Sequence, residues 1–387
     1  MIFGSEMRFS SDCVFVVIAS AALAGCDHES KAVPRPEPLP SFHGIDAGTA
    51  AAVSGIANSV GVCMASFEET FAHPHTDNCP VARIPLRSGA EVAIADLSNS
   101  KAGTESRVWI SADRKSVVKS LKDARTDIIP EFADWLARFV FRGLCNERAV
   151  SAISGNCHGA VAGMYEVAPG ALPRTCAAVT GVFEFAGQYS LSAIQQLSKK
   201  EQAAVAAAAV RLVKRIHESG IIHGDVHEDN FMFASLVNPD TTLRAIDLGR
   251  ASNWVELAAD GSLKHVEFET RELGPGLSWD LLSVWELEGA RPSRRDDMLR
   301  LANALFNSLA MELKTVQTAC DRKSGKSVDD CVAAKRERRT EGRLGAFYNE
   351  MLGLEFTDRP DYEYWAAVFD EASESGNGLL SPLPATK

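Results

Sequence analysis

The sequence predicts an α+β fold in which a strand-rich part precedes a mainly helical part. Short apolar runs separated by polar turns predict strands between residues 91 and 119. Apolar residues at helical spacing predict a long helix between Ser198 and Gly220. The chain has 387 residues, of which 46% are hydrophobic and 24% charged, so it can bury a full core. We expect one two-lobed domain of about 300 residues with extensions at both termini.

Residues 1–26 are predicted to be a targeting segment rather than part of the fold. Met7-Arg8 gives a short basic start, and the apolar run Val14–Leu23 is too short to span a bilayer. The run ends in Leu23-Ala24-Gly25-Cys26, which resembles the bacterial lipobox. That resemblance implies cleavage ahead of Cys26 and a lipid on this cysteine. We therefore expect a lipid-anchored, extracytoplasmic protein of the bacterial cell envelope, on its periplasmic or surface side.

A proline-rich linker is predicted over residues 27–44. Four prolines alternate there with other residues, several of them charged, at Pro34, Pro36, Pro38 and Pro40. Such a stretch cannot bury a core and favours extended polyproline geometry. After the linker we expect a helical segment and the small lobe over 45–185, the large lobe over 186–370 and a flexible tail over 371–387.

The cysteine pattern agrees with export to an oxidising compartment. Nine cysteines are present, and the seven that follow Cys26 form no C-x-x-C pair, which argues against a zinc site. Two pairs lie close enough in sequence to form disulfides, Cys63 with Cys79 and Cys320 with Cys331. Because seven is odd, at least one cysteine would stay unpaired, and the sequence alone does not fix the pairing.

The charge balance of the chain is acidic, with a formal net charge of −11. Non-specific binding of nucleic acid needs a basic surface. We therefore expect no nucleic-acid partner.

The strand-rich part is predicted to run strand, loop, strand, turn, strand. The loop Ser98–Ser106 contains one glycine, Gly103, and Lys119 lies near the end of the third strand. A loop with one glycine approaches a phosphate less freely than a loop with three, because side chains restrict φ and add bulk. Further on, the pattern predicts a helix over Phe132–Ile153. Two more strands are predicted near Ala160–Val167 and Cys176–Phe183.

The most specific pattern in the chain lies between residues 221 and 249. His223-Gly224-Asp225 opens a loop that reaches Asn230, and Asp247-Leu248-Gly249 follows seventeen residues after that asparagine. Apolar residues flank both acids, which predicts short buried strands on either side. This order suits phosphoryl transfer, in which Asp225 would orient an attacking hydroxyl, Asn230 would bind a metal and Asp247 would hold that metal on the phosphates.

These loops resemble the catalytic and metal-binding loops of protein kinases. Ser293–Asp297 and Arg359–Phe369 are similar to two segments of the casein kinase I and vaccinia-related kinase group, and the resemblance covers residues 90 to 370. It implies a bilobal, protein-kinase-like α+β fold that uses ATP and Mg²⁺. It also implies that Asp297 heads a buried helix that braces the catalytic loop.

The resemblance further implies roles for individual residues. Lys119 would bind the nucleotide phosphates and pair with a carboxylate, for which we expect Glu147 on the Phe132–Ile153 helix first and Glu131, directly ahead of that helix, second. Glu184-Phe185-Ala186-Gly187 resembles the hinge whose backbone groups bind adenine. The expected catalytic residues are Lys119, Glu147, Asp225 and His227; the expected ATP-binding residues are Gly103, Lys119, Glu184, Ala186 and Asp247; the expected metal ligands are Asn230 and Asp247.

Three residues depart from the protein-kinase pattern. His227 stands where these kinases usually have lysine, as in aminoglycoside and choline phosphotransferases, and it would be a weaker, pH-dependent cation. Gly224 replaces the usual arginine, so the loop has no guanidinium for an activating phosphate. Leu248 replaces the phenylalanine of the metal-binding loop.

We expect a serine/threonine protein kinase whose partners are ATP, a protein substrate and, through Cys26, a membrane. Two alternatives stay open. A small-molecule phosphotransferase is favoured by His227 and disfavoured by the two casein-kinase-like segments. An inactive nucleotide-binding scaffold is favoured by the sparse glycine loop and by the scarcity of ATP outside the cytoplasm. It is disfavoured by the joint presence of Lys119, Asp225, Asn230 and Asp247.

Overall fold

The computed structural model describes residues 83–93, 106–121, 160–162, 164–165, 180–258, 260, 262–273, 278–309, 314–338 and 341–383. Several expectations lie outside these ranges, namely those on the targeting segment with Cys26, the proline-rich linker, the Cys63–Cys79 pair, the Phe132–Ile153 helix, Gly103, Glu131 and Glu147. Apart from Leu383, the described residues belong to one compact unit, Gly44–Pro382. None of the helices in the described ranges is long and apolar enough to cross a bilayer.

The N-terminal part contains a short hairpin and a four-stranded sheet. The hairpin pairs β1 (Arg83–Pro85) with β2 (Glu91–Ala93). The sheet is antiparallel, with the spatial order β3 (Ser106–Ile110), β4 (Ser116–Leu121), β6 (Thr180–Glu184) and β5 (Met164–Tyr165). Val118 of β4 is 2% exposed, and since side chains alternate along a strand, Lys119 points to the opposite face. The strands predicted around Lys119 and before Glu184 are confirmed.

The predicted long helix is confirmed as α1 (Lys199–Glu218), and local signals set both of its ends. Ser198 and Glu201 exchange side-chain and main-chain hydrogen bonds in the predicted capping box. Gly220 follows the helix with a φ of 83°, a conformation that glycine adopts without strain. The apolar positions that predicted the helix are fully buried: Val205, Ala209, Leu212 and Ile216.

Two small sheets hold the loops that carry the predicted acids. In one, β8 (Ile221–Ile222) pairs with β11 (Ser252–Asn253); in the other, β9 (Phe231–Phe233) lies between β7 (Tyr189–Ser190) and β10 (Arg244–Ala245). The loop of Asp225 leaves β8 and enters β9, and the loop of Asp247 connects β10 to β11. Both acids are therefore anchored by short strands, whose fully buried residues include Ile222, Phe231, Phe233 and Ala245.

The C-terminal part is mainly helical. Its described elements are the hairpin of β12 (Val255–Leu257) and β13 (Leu263–His265), and the helices α2 (Val284–Leu287), α3 (Arg294–Ser308), α4 (Lys314–Cys320), α5 (Val328–Arg336), α6 (Gly342–Leu352) and α7 (Tyr362–Ser375). Helix α1 packs on α7 and α3, and these helices contribute to the main hydrophobic core. Almost all of α3 is buried, including the charged residues of its first turn. Buried charges need partners, so α3 can fix the loops around it as well as fill the core.

The folded part extends past the boundary expected at residue 370. Helix α7 continues to Ser375, and the main-chain N–H groups of Arg343 and Leu344 donate to the carbonyls of Ser381 and Leu379 at 2.9 and 3.0 Å. Leu379 is buried. Residues 371–383 are therefore part of the folded lobe rather than a flexible tail, because the start of α6 supplies partners for their backbone and apolar groups.

A disulfide joins α4 to α5 through Cys320 and Cys331, one of the two pairings that the sequence allowed. Both cysteines are buried in a second hydrophobic cluster that includes Leu282. Near them, the Lys335 ammonium donates to the carbonyls of Asp280 and Leu282, both at 2.8 Å. The bridge thus lies against the segment that leads into α2.

Candidate active site

Asp225 lies in the loop after β8, with hydrogen-bond donors near both of its carboxylate oxygens. Asn230 Nδ2 is 2.9 Å from the main-chain oxygen of Asp225 and 3.4 Å from Oδ2. His227 Nε2 is 3.8 Å from the same Oδ2. On the other side, Oδ1 is 3.5 Å from a guanidinium nitrogen of Arg250 and 3.4 Å from one of Arg300. The two oxygens of Asp225 therefore face different groups.

The loop backbone is held by Asp297, at the start of α3. This fully buried carboxylate accepts hydrogen bonds from the main-chain N–H of His223 at 2.7 Å and of Gly224 at 2.9 Å. It also accepts from Nε2 of His217 at 3.0 Å. Burial acts to raise the pKa of Asp297, but the hydrogen bond from His217 and that from Gly224 hold the pKa below its ordinary value. An ionised Asp297 thus ties the loop to α1 and α3.

His217 connects this carboxylate to a second buried group. Because an ionised carboxylate can only accept, Nε2 of His217 carries the proton, and Nδ1 accepts from the Tyr362 hydroxyl at 2.6 Å. Burial lowers the pKa of His217, more than the neighbouring Asp297 raises it. A neutral imidazole therefore links α7 to the loop through Asp297.

His223 joins the loop of Asp225 to Ile246, the residue that directly precedes Asp247. Its Nε2–H donates to the carbonyl of Ile246 at 3.0 Å, and its Nδ1 accepts from the Asp225 N–H at 3.2 Å. Burial lowers the pKa of His223, which agrees with this neutral form. The Ile246 N–H also donates to the carbonyl of Asn230 at 2.9 Å. The two loops are thus fixed to each other next to both predicted acids.

Gly224 is required by the backbone geometry of the loop. Its φ is 72°, and a Cβ at this position would lie 2.5 Å from the main-chain oxygen of Arg250. An arginine here would meet both a strained backbone and a steric clash. The absence of the usual kinase arginine from this loop therefore has a local structural reason.

Asp247 forms an ion pair with Lys119, which is distant from it in the sequence. The Lys119 ammonium lies 2.8 Å from Oδ1 of Asp247, and Asp247 has a left-handed φ of 61°. Burial acts to raise the pKa of Asp247, but the Lys119 charge and hydrogen bond hold it below its ordinary value. A non-glycine residue in this conformation is uncommon and is found at functional sites more often than elsewhere.

The side chains around Asp247 fit a magnesium–nucleotide site. The NH₂ group of Asn230 is used on Asp225, so the amide oxygen is the atom that could ligate a metal. Within the described ranges, no three His, Cys, Asp or Glu side chains come together closely enough to hold a metal ion. Mg²⁺ at nucleotide sites takes only one or two protein carboxylates and completes its shell with phosphate oxygens and water. Asn230 and Asp247 fit that chemistry, and Lys119 supplies a cation for phosphates.

The hinge-like residues lie at the end of β6. The Glu184 carboxylate accepts from Arg244 at 2.7 Å, and the Phe185 N–H donates to the carbonyl of Lys115 at 2.8 Å. Ala186 is buried, next to Gly187. Because β4 and β6 are neighbours, this segment and Lys119 belong to one sheet.

Sequence reasoning missed the two arginines near Asp225. Arg300 follows Asp297 by three residues on a helix, so both side chains share one helix face, and that spacing could have indicated Arg300. Arg250 directly follows the Asp247-Leu248-Gly249 motif. Glu286, which pairs with Arg300, belongs to the capping-box pattern Ser283-x-x-Glu286, but that pattern does not indicate the pairing with Arg300.

Two curated proteins that are similar in sequence to this chain are named casein kinases. No family model matches the chain. It is 28% identical to casein kinase 1-like protein HD16 of Oryza sativa subsp. japonica over 46% of its own length and 25% of that protein. It is 22% identical to casein kinase I homolog 1 of Saccharomyces cerevisiae over 48% of its own length and 36% of that protein. The match thus spans only a quarter to about a third of these two curated relatives.

A solved structure of vaccinia related kinase 3 is similar with a TM-score of 0.54 and 16% identity, over 80% of this chain and 96% of that one. At this identity the likeness concerns the fold. It confirms the fold class expected from the sequence. The chain has a bilobal, protein-kinase-like α+β fold.

Proposed function

We propose that the chain is an ATP- and Mg²⁺-dependent protein kinase that phosphorylates serine or threonine hydroxyls. The observation that carries this proposal is the 2.8 Å pair of Lys119 with Asp247, next to an Asp225 loop that the Ile246–Asn230 main-chain hydrogen bond fixes in place. A cation for phosphates, oxygen ligands for a metal and a carboxylate for a hydroxyl thus come together. The fold and the casein kinase names of the relatives support the same function.

Each side chain has a defined task in this proposal. Bound Mg-ATP supplies the phosphoryl group and the charge of the metal. Lys119 holds phosphate oxygens, and Asn230 with Asp247 holds the metal. Asp225 accepts a hydrogen bond from the acceptor hydroxyl and so orients its oxygen for attack. Catalysis then rests on positioning and on charge neutralisation.

His227 favours a second candidate, a small-molecule phosphotransferase. Its Nε2 lies 3.8 Å from Oδ2 of Asp225, and its Nδ1 accepts from the Asp229 N–H at 3.3 Å. A histidine in this place is shared with aminoglycoside and choline phosphotransferases rather than with protein kinases. We prefer the protein-kinase hypothesis because the two relatives described above are named casein kinases.

A transfer assay distinguishes these functions. Purified full-length protein is incubated with Mg-ATP and either acidic proteins or small hydroxyl compounds, with Asp225→Asn as the control. We expect phosphate on serine or threonine of a protein acceptor with the wild type and none with the variant. Transfer only to small compounds would favour the second candidate. Binding of Mg-ATP without transfer to any acceptor would mean an inactive scaffold.

We also propose that Cys26 carries a lipid anchor, on the basis of the apolar run and the Leu-Ala-Gly-Cys pattern. Labelled palmitate should enter the wild type expressed in bacteria and be absent from Cys26→Ala. Equal labelling of both proteins would remove the anchor and leave the kinase proposal unchanged.

A further inference from the structure

Helix α3 directs two charged side chains at the catalytic loop. Asp297 holds the loop backbone, and Arg300, three residues later on the same helix face, reaches the Asp225 side chain. The Arg300 side chain is only 1% exposed. One rigid helix thus contacts both the backbone and the carboxylate of the loop that the proposed reaction uses.

Arg300 is clamped by a second carboxylate. Its Nε and one terminal nitrogen donate to the two oxygens of Glu286, at 2.7 and 2.5 Å. Its other terminal nitrogen lies 3.4 Å from Oδ1 of Asp225. Because the guanidinium is planar, the two bonds to Glu286 fix the direction of the third nitrogen.

The neighbouring carboxylates keep this buried group charged. Burial acts to lower the pKa of Arg300, but Glu286 and then Asp225 raise the pKa above its ordinary value. An unpaired charge in this place would be costly, so each partner holds the others in position.

The second arginine at Asp225 is placed differently. Arg250 approaches Oδ1 at 3.5 Å, but its side chain is 27% exposed. The opposite oxygen, Oδ2, faces Asn230 and His227. Oδ1 is thus held by the protein, whereas Oδ2 lies toward the expected metal ligand.

We infer that Arg300, clamped by Glu286, is a positioning residue that fixes the plane of the Asp225 carboxylate and presents Oδ2 to the acceptor hydroxyl. The inference rests on the proposed kinase function and adds Arg300 and Glu286 to the site. Neither residue contacts Lys119 or Asp247 among the contacts that the structure describes. Loss of the clamp should therefore reduce turnover without weakening nucleotide binding.

Arg300→Lys is the main test because it keeps the charge and loses the planar fork. We expect kcat to fall by about 100-fold, the loss typical of a small misplacement of a reacting group. The KM for ATP and the calorimetric Kd for Mg-ATP should change less than twofold. In crystals of the variant, the Asp225 carboxylate should be rotated or should take more than one orientation.

Arg295→Lys is the matched control for the stability cost of replacing a buried arginine. Arg295 lies on the same helix and is 4% exposed, but it donates to the carbonyl of Leu354 at 2.8 Å and lies over the ring of Trp285. This variant should lose thermal stability to a degree similar to Arg300→Lys and keep its kcat. Equal losses of kcat in both variants would mean a general packing effect and would overturn the inference.

Glu286→Gln tests whether Arg300 acts through its clamp. Its loss of kcat should not add to that of Arg300→Lys in the double variant, because both changes release the same contact. Suppose that the wild type transfers phosphate, and that Arg300→Lys has a kcat within twofold of the wild type and the same orientation of the Asp225 carboxylate. The inference is then wrong, and the kinase proposal stands. If the wild type transfers no phosphate to any acceptor, both are wrong.

Discussion

The Lys119 ammonium and the Asp247 carboxylate lie 2.8 Å apart although 128 residues separate them in the chain. One belongs to the N-terminal sheet and the other to a loop between two short strands of the C-terminal part. Such a pair could bind a nucleotide–metal complex from two sides. The Lys119 ammonium can bind the phosphate oxygens, and the Asp247 carboxylate can ligate the metal.

The two acids should therefore have different effects when neutralised. Asp225→Asn should abolish turnover and leave Mg-ATP binding nearly unchanged, because Asp225 acts on the acceptor hydroxyl. Asp247→Asn should weaken Mg-ATP binding as well as turnover, with a rate loss of about a thousandfold or more. Calorimetric titration with Mg-ATP and phosphate-transfer rates check both variants. Unchanged Mg-ATP affinity in Asp247→Asn would contradict the metal role.

His227→Lys distinguishes the two kinds of acceptor. A lysine at this position would place a positive charge near Asp225 across the neutral pH range. If the acceptor is a protein, the lysine variant should keep or raise the rate above pH 7. The check is a rate–pH profile of both proteins on the acceptor identified for the wild type. A lower rate at every pH would indicate that His227 shapes a pocket for a small acceptor.

Gly224→Ala should destabilise the fold more than a strained φ alone explains. A Cβ here would lie 2.5 Å from the Arg250 carbonyl oxygen, in addition to the positive φ of 72°. Gly325→Ala is the control, because its φ is similarly positive at 75° and nothing lies within 4 Å of the added Cβ. The control should cost about 1–2 kcal/mol of unfolding free energy. Denaturant titration should give a clearly larger loss for Gly224→Ala, and equal losses would disprove the close approach.

Thermal stability should decrease as pH falls through about 6.5, the ordinary pKa of histidine. His217 is buried and neutral, and its pKa in the fold is lowered, so the unfolded chain binds more protons just below pH 6.5. Asp297 also has a lowered pKa, but its contribution is lost only below its ordinary value of 3.8. Melting temperatures from pH 7.5 to 5 measure this slope. His217→Gln should have a shallower slope, and an unchanged slope would rule out His217 as its cause.

The sequence predicted the parts of the fold that depend on local pattern. Helix α1, with its Ser198 cap, and the short strands around Asp225 and Asp247 follow from periodicity and capping, which are properties of neighbouring residues. The Arg300–Glu286 pair depends on how α3 meets the segment before it, and no local pattern encodes that contact. For the same reason residues 371–383 were expected to be a tail, although their partners at the start of α6 lie far away in sequence.

The disulfide between Cys320 and Cys331 has a consequence for how the protein matures. It closes a short loop beside the segment of Asp280 and Leu282, which leads directly to Glu286. A newly synthesised chain with free thiols would lack this covalent link and would hold that segment by packing and by non-covalent contacts such as the two hydrogen bonds of Lys335. Oxidation of the two thiols therefore adds a covalent constraint beside the segment that leads to Glu286, the partner of Arg300, and we expect the redox state of the chain to affect the proposed site.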